Sequence, residues 1–379
     1  MLNVIIADGF VFCDDGVFRK LDIEVENGVI VAIKESCKTS DRDIVYAQDC
    51  YVIPGLVDIH THGAMGADFS DGTLEATQGI ARYLLSCGIT SFLGTTMTLP
   101  EQQLSEICKN TRPLVKADFP DQAVLRGIHL EGPFVSMEKR GAQNADYIIS
   151  PDISVLMRLN EVSGMAVKLI VVAPEVDGGL EFIKEAASFC TVSLAHSSAD
   201  YETARSAFKN GANHVTHLFN GMNPLNHREP GIIGAAFDAG AYVELIVDGI
   251  HIHPAVVRSA FKLFGDDRVN LISDSMRACG LADGEYDLGG QKVTVVGRSA
   301  TIDNGSLAGS VTNLADSMRK AVEFGIPVCS AVKAATINPS KSVGIDNEVG
   351  SLTIGKRADI LVLEQDLNLK HIVFGGSQI

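Results

Sequence analysis

Residues 52–63, VIPGLVDIHTHG, join an apolar run to two histidines that are separated by one residue. The run 52–58 has the length and apolar character of a buried strand, and His60 and His62 follow it. Because strand side chains alternate between two faces, residues i and i+2 share a face. The stretch therefore predicts a strand that delivers two imidazoles to one place near its carboxyl end.

The same pattern of an apolar run followed by an amphipathic stretch recurs along the chain. Further candidate strands lie at 90–95, 124–130, 168–172, 191–195, 212–216, 242–247 and 269–273. Candidate helices lie at 74–87, 101–117, 152–163, 178–190, 200–210, 254–264 and 311–325. Eight strand–helix units predict an α/β fold, a (β/α)8 TIM barrel. A doubly wound sheet is less favoured, because no GxGxxG turn follows an early strand.

The two ends of the chain have a different pattern, with short alternating strands at 1–51 and 348–375. An Asn27–Gly28 pair between alternating apolar residues is a strong hairpin signal. We expect both termini to form one small β-sandwich domain. The expected boundaries are 1–53 and 344–379 for the small domain and 54–343 for a metal-dependent barrel. The segment 284–306 is expected to form a β-hairpin after the eighth strand.

Composition and charge exclude several classes of protein. A chain of 379 residues suits one large domain with a smaller one attached. No run of 18 uncharged apolar residues occurs, so no membrane span is expected. The formal charge of −16 argues against binding to nucleic acid or to anionic membranes. Any anionic ligand must therefore be held by a local cluster of donors.

The N-terminus and the cysteines indicate the compartment. The stretch MLNVIIADGF lacks a basic region and breaks its apolar run early, so it predicts a strand and not a signal peptide. The eight cysteines are scattered, and no pair has CxxC spacing. We expect free thiols in a reducing compartment and a cytoplasmic location.

Ligand-type residues follow most of the predicted strands, and in a (β/α)8 barrel the strand ends form the functional face. These residues are His60, His62, Glu131, His196, His217, Asp248, His251 and Asp274. Imidazoles and carboxylates together suit Zn²⁺, Fe²⁺ or Mn²⁺. We predict a metal site at the barrel mouth, where a cation would activate a water molecule.

Each of these residues also has a structural interpretation. A lone His-x-His is weak evidence, and Glu131 could cap a helix or pair with Arg140. Asp274 could cap only its own turn. The arrival of several ligand-type residues at one rim favours chemistry. A carboxylate at Asp274 could take a proton from water and pass it to a departing nitrogen.

Donors for an anion are concentrated in 216–231, THLFNGMNPLNHREPG, and in 248–251, DGIH. Arg228 offers a bidentate fork, and His251 offers a further donor. A ligand can approach the backbone of Asn220–Gly221 closely because glycine lacks a Cβ. The alternative is a solvated loop in which Arg228 pairs with Glu229.

These residues resemble the amidohydrolase superfamily, and the resemblance covers essentially the whole chain. Its most specific stretches are PGLVDIHTHG, GIHLEGPF, LAHSSA, THLFNGMNPLNHREPG, VDGIHIHP, ISDSMRACG, SLAGS and GSLTIGKRADILVL. The resemblance implies a (β/α)8 barrel with a β-sandwich built from both termini. It also implies release of acetate from N-acetylglucosamine 6-phosphate. The alternative substrates are N-acetylgalactosamine 6-phosphate and a cyclic amide, and a non-catalytic binding barrel is the remaining alternative.

The resemblance further implies roles for particular residues. Glu131, His196 and His217 would bind the main metal, and Asp274 would be the general base and acid. His60 and His62 would permit a second ion bridged by Glu131, so one or two divalent ions (Zn, Fe, Mn or Co) are expected per subunit. Lys168 lies within strand 4, so no carboxylated lysine is proposed.

The implied substrate contacts are Ala142, Gln143, Asn220, Gly221, Arg228, His251, Leu307, Ala308 and Gly309. Arg228 and His251 would face the phosphate. Some family members carry histidine where this chain has Gln143. A phosphate site completed by a neighbouring subunit implies a homodimer.

Overall fold

A computed structural model of the chain describes residues 3–37 and 43–379. Within these residues, eight parallel strands follow one another in chain order around a single sheet. The strands are Leu56–Thr61, Ile89–Thr96, Val124–Leu130, Val167–Val172, Thr191–Leu194, His214–Val215, Tyr242–Ile246 and Val269–Ile272. Helices separate them, so the predicted (β/α)8 barrel is confirmed.

The barrel closes where the last strand returns to the first. The Asp274 N–H donates to the His60 carbonyl at 2.9 Å, and the His62 N–H donates to the Ser275 carbonyl at 2.8 Å. The closure lies at the carboxyl ends of the strands. Candidate site residues from opposite ends of the barrel sequence are therefore neighbours.

Helices cover the outside of the barrel and pack into a large apolar layer. They span Leu74–Ser86, Glu101–Thr111, Ile153–Val162, Gly179–Ala186, Tyr201–Lys209, Gly231–Ala239, Pro254–Phe264, Leu314–Glu323, Val328–Ala335 and Ile337–Ser342. Several begin at a side chain that caps a backbone N–H, as Thr73 and Asp200 do. In the part of the chain that the structure describes, no helix is long and apolar enough to cross a membrane.

The helices differ from the prediction in several places. The helix predicted at 101–117 ends at Thr111, because Pro113 cannot donate to an α-helical bond, and a 3₁₀ turn Arg112–Leu114 follows. The helices Val328–Ala335 and Ile337–Ser342 were not predicted, and neither was Gly231–Ala239. Its sequence GIIGAAFDA is almost entirely apolar and lacks a polar face, so it shows little amphipathic period.

The predicted first strand, 52–58, was wrong at its boundaries because it spans two sheets. Tyr51–Pro54 pairs with Ile360–Leu363 in the small domain, whereas Leu56–Thr61 belongs to the barrel. Gly55 lies between them, and a Cβ there would collide with the Thr90 side chain. His60 therefore lies inside the barrel strand, and only His62 follows it.

The small β domain contains strands from both ends of the chain. Its strands are Asn3–Phe12, Phe18–Glu26, Val29–Lys34, Asp43–Tyr46, Tyr51–Pro54, Ile360–Leu363, Leu369–Phe374 and Ser377–Gln378. Their apolar side chains, among them Val52 and Ile360, share one core. The predicted β domain from both termini is confirmed, and we propose the division 1–53, 54–343 and 344–379 for the two domains.

The insertion after the eighth strand is a three-stranded antiparallel sheet, not the predicted hairpin. Its strands are Gly284–Leu288, Gln291–Val296 and Ser299–Ile302. The third strand was missed because the tight turn at Gly297–Arg298 has no Asn-Gly signal. The Gln291 side-chain amide donates to the Ala142 carbonyl, which joins this sheet to the barrel mouth. A two-stranded ribbon, Gly63–Ala64 with Ala67–Asp68, lies beside the first strand.

Candidate active site

Glu131, His196 and His217 meet at the barrel mouth from the ends of the third, fifth and sixth barrel strands. Glu131 Oε1 lies 2.9 Å from His217 Nε2 and 3.2 Å from His196 Nε2. The two Nε2 atoms are 3.1 Å apart. All three side chains are buried. The structure thus brings together the three residues predicted to hold the main metal.

The donor chemistry of this group fits a cation. His196 Nδ1–H donates to the Lys139 carbonyl at 3.0 Å, so a neutral His196 presents the lone pair of Nε2. That lone pair points at an oxygen of Glu131 and at His217 Nε2. Converging nitrogen and oxygen lone pairs form a ligand set for Zn²⁺, Fe²⁺, Mn²⁺ or Co²⁺.

A second group, His60, His62 and Asp274, lies directly beside the first. Asp274 Oδ1 is 3.4 Å from His60 Nε2 and 3.3 Å from His62 Nε2. Glu131 Oε2 is 3.2 Å from His62 Nε2, whereas Oε1 faces the first group. Glu131 therefore lies between the two groups and can contact a cation in either.

The charges at this site stabilise one another. Burial alone would raise the pKa of the Glu131 and Asp274 carboxyls, but the neighbouring histidines hold both pKa values below their usual range. Burial alone would lower the pKa of His60, but the carboxylates of Asp274, Glu131 and Glu244 outweigh it and raise that pKa to about 9. The same balance raises the pKa of His62. Positive charge is therefore favoured here, and a divalent cation would supply it.

The backbone turns sharply at three site residues. His196, His217 and Asp274 have φ values of 46°, 32° and 47°, in the left-handed region. Such conformations cost about 1–3 kcal/mol each in residues other than glycine, and they cluster at functional sites. The strain lies at the ends of strands, where the chain turns and the side chains enter the mouth.

A cavity of about 460 Å³ opens above both groups. Its lining includes Glu131, His196, His217, His62 and Asp274, together with seven predicted substrate contacts: Ala142, Gln143, Asn220, Gly221, His251, Leu307 and Gly309. A Cβ on Gly221 would lie 3.1 Å from His196 Nδ1, so glycine keeps this wall open. The apolar wall contains Phe219, Met222, Ile246 and Leu288, which the sequence analysis did not select.

Two predicted substrate contacts do not line this cavity. Ala308 is fully buried behind the wall. Arg228 is exposed and lines a separate cavity of about 720 Å³ with residues such as Asn223 and Glu229. The structure therefore does not bring Arg228 to the site of its own chain, because its loop points to the surface.

The Gln143 side chain is held in hydrogen-bond contact with Glu131, a candidate metal ligand. The Thr98 N–H donates to Gln143 Oε1 at 2.8 Å, so the Gln143 Nε2 faces the other way and donates to Glu131 Oε2 at 2.8 Å. The amide thus orients the Glu131 carboxylate. Its contact with substrate stays a prediction.

His251 is held by the turn that follows the seventh strand. Asp248 accepts hydrogen bonds from the backbone N–H groups of Ile250 and His251, and from His251 Nδ1 at 2.7 Å. Its bond to His251 keeps the pKa of the Asp248 carboxyl low, although burial acts in the opposite direction. The ring is therefore fixed, and Nε2 is the atom available to a ligand.

Glu244 was not predicted as a site residue. It lies inside the strand Tyr242–Ile246 and contacts His60 Nδ1 at 3.0 Å. A signal was present, because Glu244 is the only charged residue in the apolar run YVELIV. A carboxylate in a buried strand is unusual without a partner.

The chain is similar to known proteins in both sequence and fold. The model of the Amidohydrolase family matches residues 51–379. N-acetylglucosamine-6-phosphate deacetylase of Bacillus subtilis is 38% identical, over 99% of this chain and 93% of its own. N-acetylgalactosamine-6-phosphate deacetylase of Escherichia coli O157:H7 is 32% identical over 96% of each chain. A mutant N-acetyl-D-glucosamine-6-phosphate deacetylase from Mycobacterium smegmatis, solved with N-acetyl-D-glucosamine-6-phosphate, is 30% identical, with a TM-score of 0.93 over 100% of this chain and 99% of that chain.

Proposed function

The chain belongs to the amidohydrolase family, and on that basis we propose that it hydrolyses the acetamido group of N-acetylglucosamine 6-phosphate. The products are glucosamine 6-phosphate and acetate. The convergence of Glu131, His196 and His217 with Asp274 beneath one cavity carries this conclusion. The enzyme is a carbon–nitrogen hydrolase that acts on a linear amide.

We propose that Glu131, His196 and His217 hold one divalent cation and that His60 and His62 hold a second beside Asp274. Zn, Fe, Mn and Co all suit these nitrogen and oxygen donors. A cation at this set supplies Lewis acidity, which activates water and polarises a carbonyl oxygen. Glu131 faces both groups and would bridge them.

We propose that Asp274 moves the proton in both halves of the reaction. Its carboxyl is held ionised by the neighbouring histidines, so it can accept a proton from the attacking water. A C–O bond then forms at the acetyl carbon. The protonated Asp274 next donates to the amide nitrogen, the C–N bond breaks, and the carboxylate is regenerated.

Residues in the walls of the cavity would orient the substrate. With Nδ1–H donating to Asp248, His251 in its doubly protonated form would donate to the phosphate from Nε2. Ala142, Asn220, Gly221 and the 307–309 segment would contact the sugar, and Phe219, Met222, Ile246 and Leu288 would exclude bulk water.

The second candidate substrate is N-acetylgalactosamine 6-phosphate, because the Escherichia coli O157:H7 relative carries the name of that deacetylase. The deciding experiment compares both sugar phosphates and unphosphorylated N-acetylglucosamine on enzyme of measured metal content. We expect the highest kcat/KM for N-acetylglucosamine 6-phosphate. We expect a loss of about 100-fold or more without the phosphate, since hydrogen bonds to charged groups contribute about 1.5–3 kcal/mol each. If kcat/KM for unphosphorylated N-acetylglucosamine equals that for the 6-phosphate, the proposed recognition of the phosphate is wrong.

We also propose a homodimer in which Arg228 of the partner subunit completes the phosphate site. Arg228 is exposed and lines a different cavity from the other predicted contacts. Leu225, on the same loop, is 50% exposed, and a partner would cover it. Both observations support a loop that acts in another subunit.

A mixed dimer of Arg228→Ala and Asp274→Asn subunits tests this arrangement. With two different affinity tags, co-expressed mixed dimers can be separated from both parent homodimers. If Arg228 acts across the interface, one of the two sites has both groups, and kcat/KM should return to about half of the wild-type value. The parent homodimers are the controls. A mixed dimer no more active than the Arg228→Ala parent would place Arg228 in its own subunit or outside the site.

We propose a cytoplasmic location as well. Buried thiols such as Cys108 and Cys279 form no disulfide in the described chain, which suits a reducing compartment. The charge of −16 argues against nucleic acid and anionic membranes as partners, so an anionic substrate would have to be held by local donors.

A further inference from the structure

A fully buried carboxylate lies directly beneath both groups of candidate ligands. Glu244 is 0% exposed. Its Oε2 accepts a hydrogen bond from His60 Nδ1 at 3.0 Å and another from the His217 backbone N–H at 3.2 Å. A single oxygen atom thus contacts one member of each group.

The first contact fixes the tautomer of His60. An ionised carboxylate only accepts hydrogen bonds, so the His60 proton that it binds must be on Nδ1. When the ring is neutral, as a metal ligand must be, His60 Nε2 presents its lone pair toward His62, Glu131 and Asp274. Without an acceptor at Glu244, the proton could move to Nε2 and block a cation. Partners behind metal-binding histidines commonly act in this way.

The second contact fixes the backbone at His217. The Glu244 side chain accepts from the His217 N–H, and its main-chain carbonyl accepts from the Leu218 N–H at 2.8 Å. Glu244 therefore holds two consecutive N–H groups of a turn in which His217 has a φ of 32°. Glu244 thus holds the beginning of the strained turn that aims the His217 ring.

Folding stability alone does not explain a carboxylate at this position. Burial of a charged group costs several kcal/mol unless its hydrogen bonds are all satisfied. Glu244 Oε1 has no hydrogen-bond partner among the described residues, and His214 Nε2 is 3.8 Å away. The contacts that do account for a carboxylate here are those with His60 and His217.

We propose that Glu244 is a positioning residue that couples the two candidate metal positions. It sets the tautomer of His60 for one position and the backbone of His217 for the other. The inference rests on the proposed metal-dependent function. The seventh barrel strand would thereby contribute to metal binding through a residue that is not itself a ligand.

The test is the affinity of metal-depleted enzyme for Co²⁺, followed through the visible absorption of the bound ion. Glu244→Leu removes the acceptor with little change in size, and Glu244→Gln keeps one acceptor oxygen. We expect Co²⁺ affinity to fall about 10–100-fold in Glu244→Leu, with an altered absorption spectrum and a smaller loss in Glu244→Gln. The KM for substrate should stay within about twofold while kcat falls, because the cavity wall is unchanged.

Asn270→Leu is the matched control. Asn270 is buried in the adjacent strand and donates to His214 Nε2 at 3.1 Å, and within the described parts of the chain its side chain makes no hydrogen bond to His60 or His217. Its Co²⁺ affinity and spectrum should match wild type even if the variant is less stable. Equal changes in the Asn270 and Glu244 variants, or a folded Glu244→Leu with wild-type affinity and spectrum, would overturn the proposal. If Glu244→Leu does not fold, Glu244→Gln decides the question. A wild-type affinity for Co²⁺ in Glu244→Gln, measured at half-saturating Co²⁺, would also overturn the proposal. A wild-type enzyme that binds no Co²⁺ would instead contradict the proposed function.

Discussion

Asp274→Asn is expected to lower kcat by about 10³–10⁴-fold or more, because a single general acid or base typically contributes 10²–10⁴-fold and we propose that Asp274 serves as both. The amide has nearly the volume of the carboxyl and fits the same space, but it cannot take a proton from water. The backbone at Asp274 also closes the barrel, and that contact uses only its N–H. The folded structure should therefore survive the change.

The measurement is steady-state turnover together with the metal content of the same sample. Metal content matters because Asp274 Oδ1 lies within 3.4 Å of both His60 and His62. Asp22→Asn is a matched control, since Asp22 is a buried carboxylate in the small β domain that accepts from the Asp8 N–H. Its turnover should equal that of wild type. Near-normal turnover in metal-replete Asp274→Asn would show that another group carries the proton.

Glu131→Gln is expected to reduce both divalent-metal affinity and kcat/KM by more than about 100-fold, because loss of an outer-shell partner alone costs about 10–100-fold. Glu131 contacts His196 and His217 through Oε1 and His62 through Oε2. The glutamine keeps the shape of the side chain but removes the charge between the two groups. Both metal positions should therefore weaken together.

Metal analysis after dialysis, with kcat/KM before and after added Zn²⁺, provides the measurement. Glu348→Gln is the control, because Glu348 pairs with Lys116 and Arg126 near the start of a barrel strand, away from the mouth. Its metal content and activity should match wild type. Full metal occupancy and full activity in Glu131→Gln would rule out a bridging role.

The site could be predicted from the sequence because a parallel barrel brings all carboxyl strand ends to one rim. Glu131, His196, His217 and Asp274 each follow an apolar run, so their convergence follows from topology alone. The alternation of side chains likewise predicts that His60 and His62 are neighbours, and their Nε2 atoms are 3.3 Å apart. The local sequence pattern was sufficient to predict these neighbours, because the barrel topology determines where the strand ends meet.

Other features depend on contacts that a local pattern does not contain. The apolar character of 52–58 continues across Gly55, so it does not show that the chain changes sheets there. The surface position of Arg228 is set by the path of its loop. Glu244 could be noticed as a charge in an apolar strand, but its two partners come from other strands. The positions and contacts of these residues could be seen only in the three-dimensional structure.

The pairing of Tyr51–Pro54 with Ile360–Leu363 has a consequence for biosynthesis. The first of these strands emerges from the ribosome long before the second is synthesised. The edge of Tyr51–Pro54 that pairs with Ile360–Leu363 therefore stays unpaired while the whole barrel is translated. Unpaired strand edges favour aggregation during folding. The small domain can therefore mature only near the end of translation, and chains halted before residue 360 should depend on chaperones.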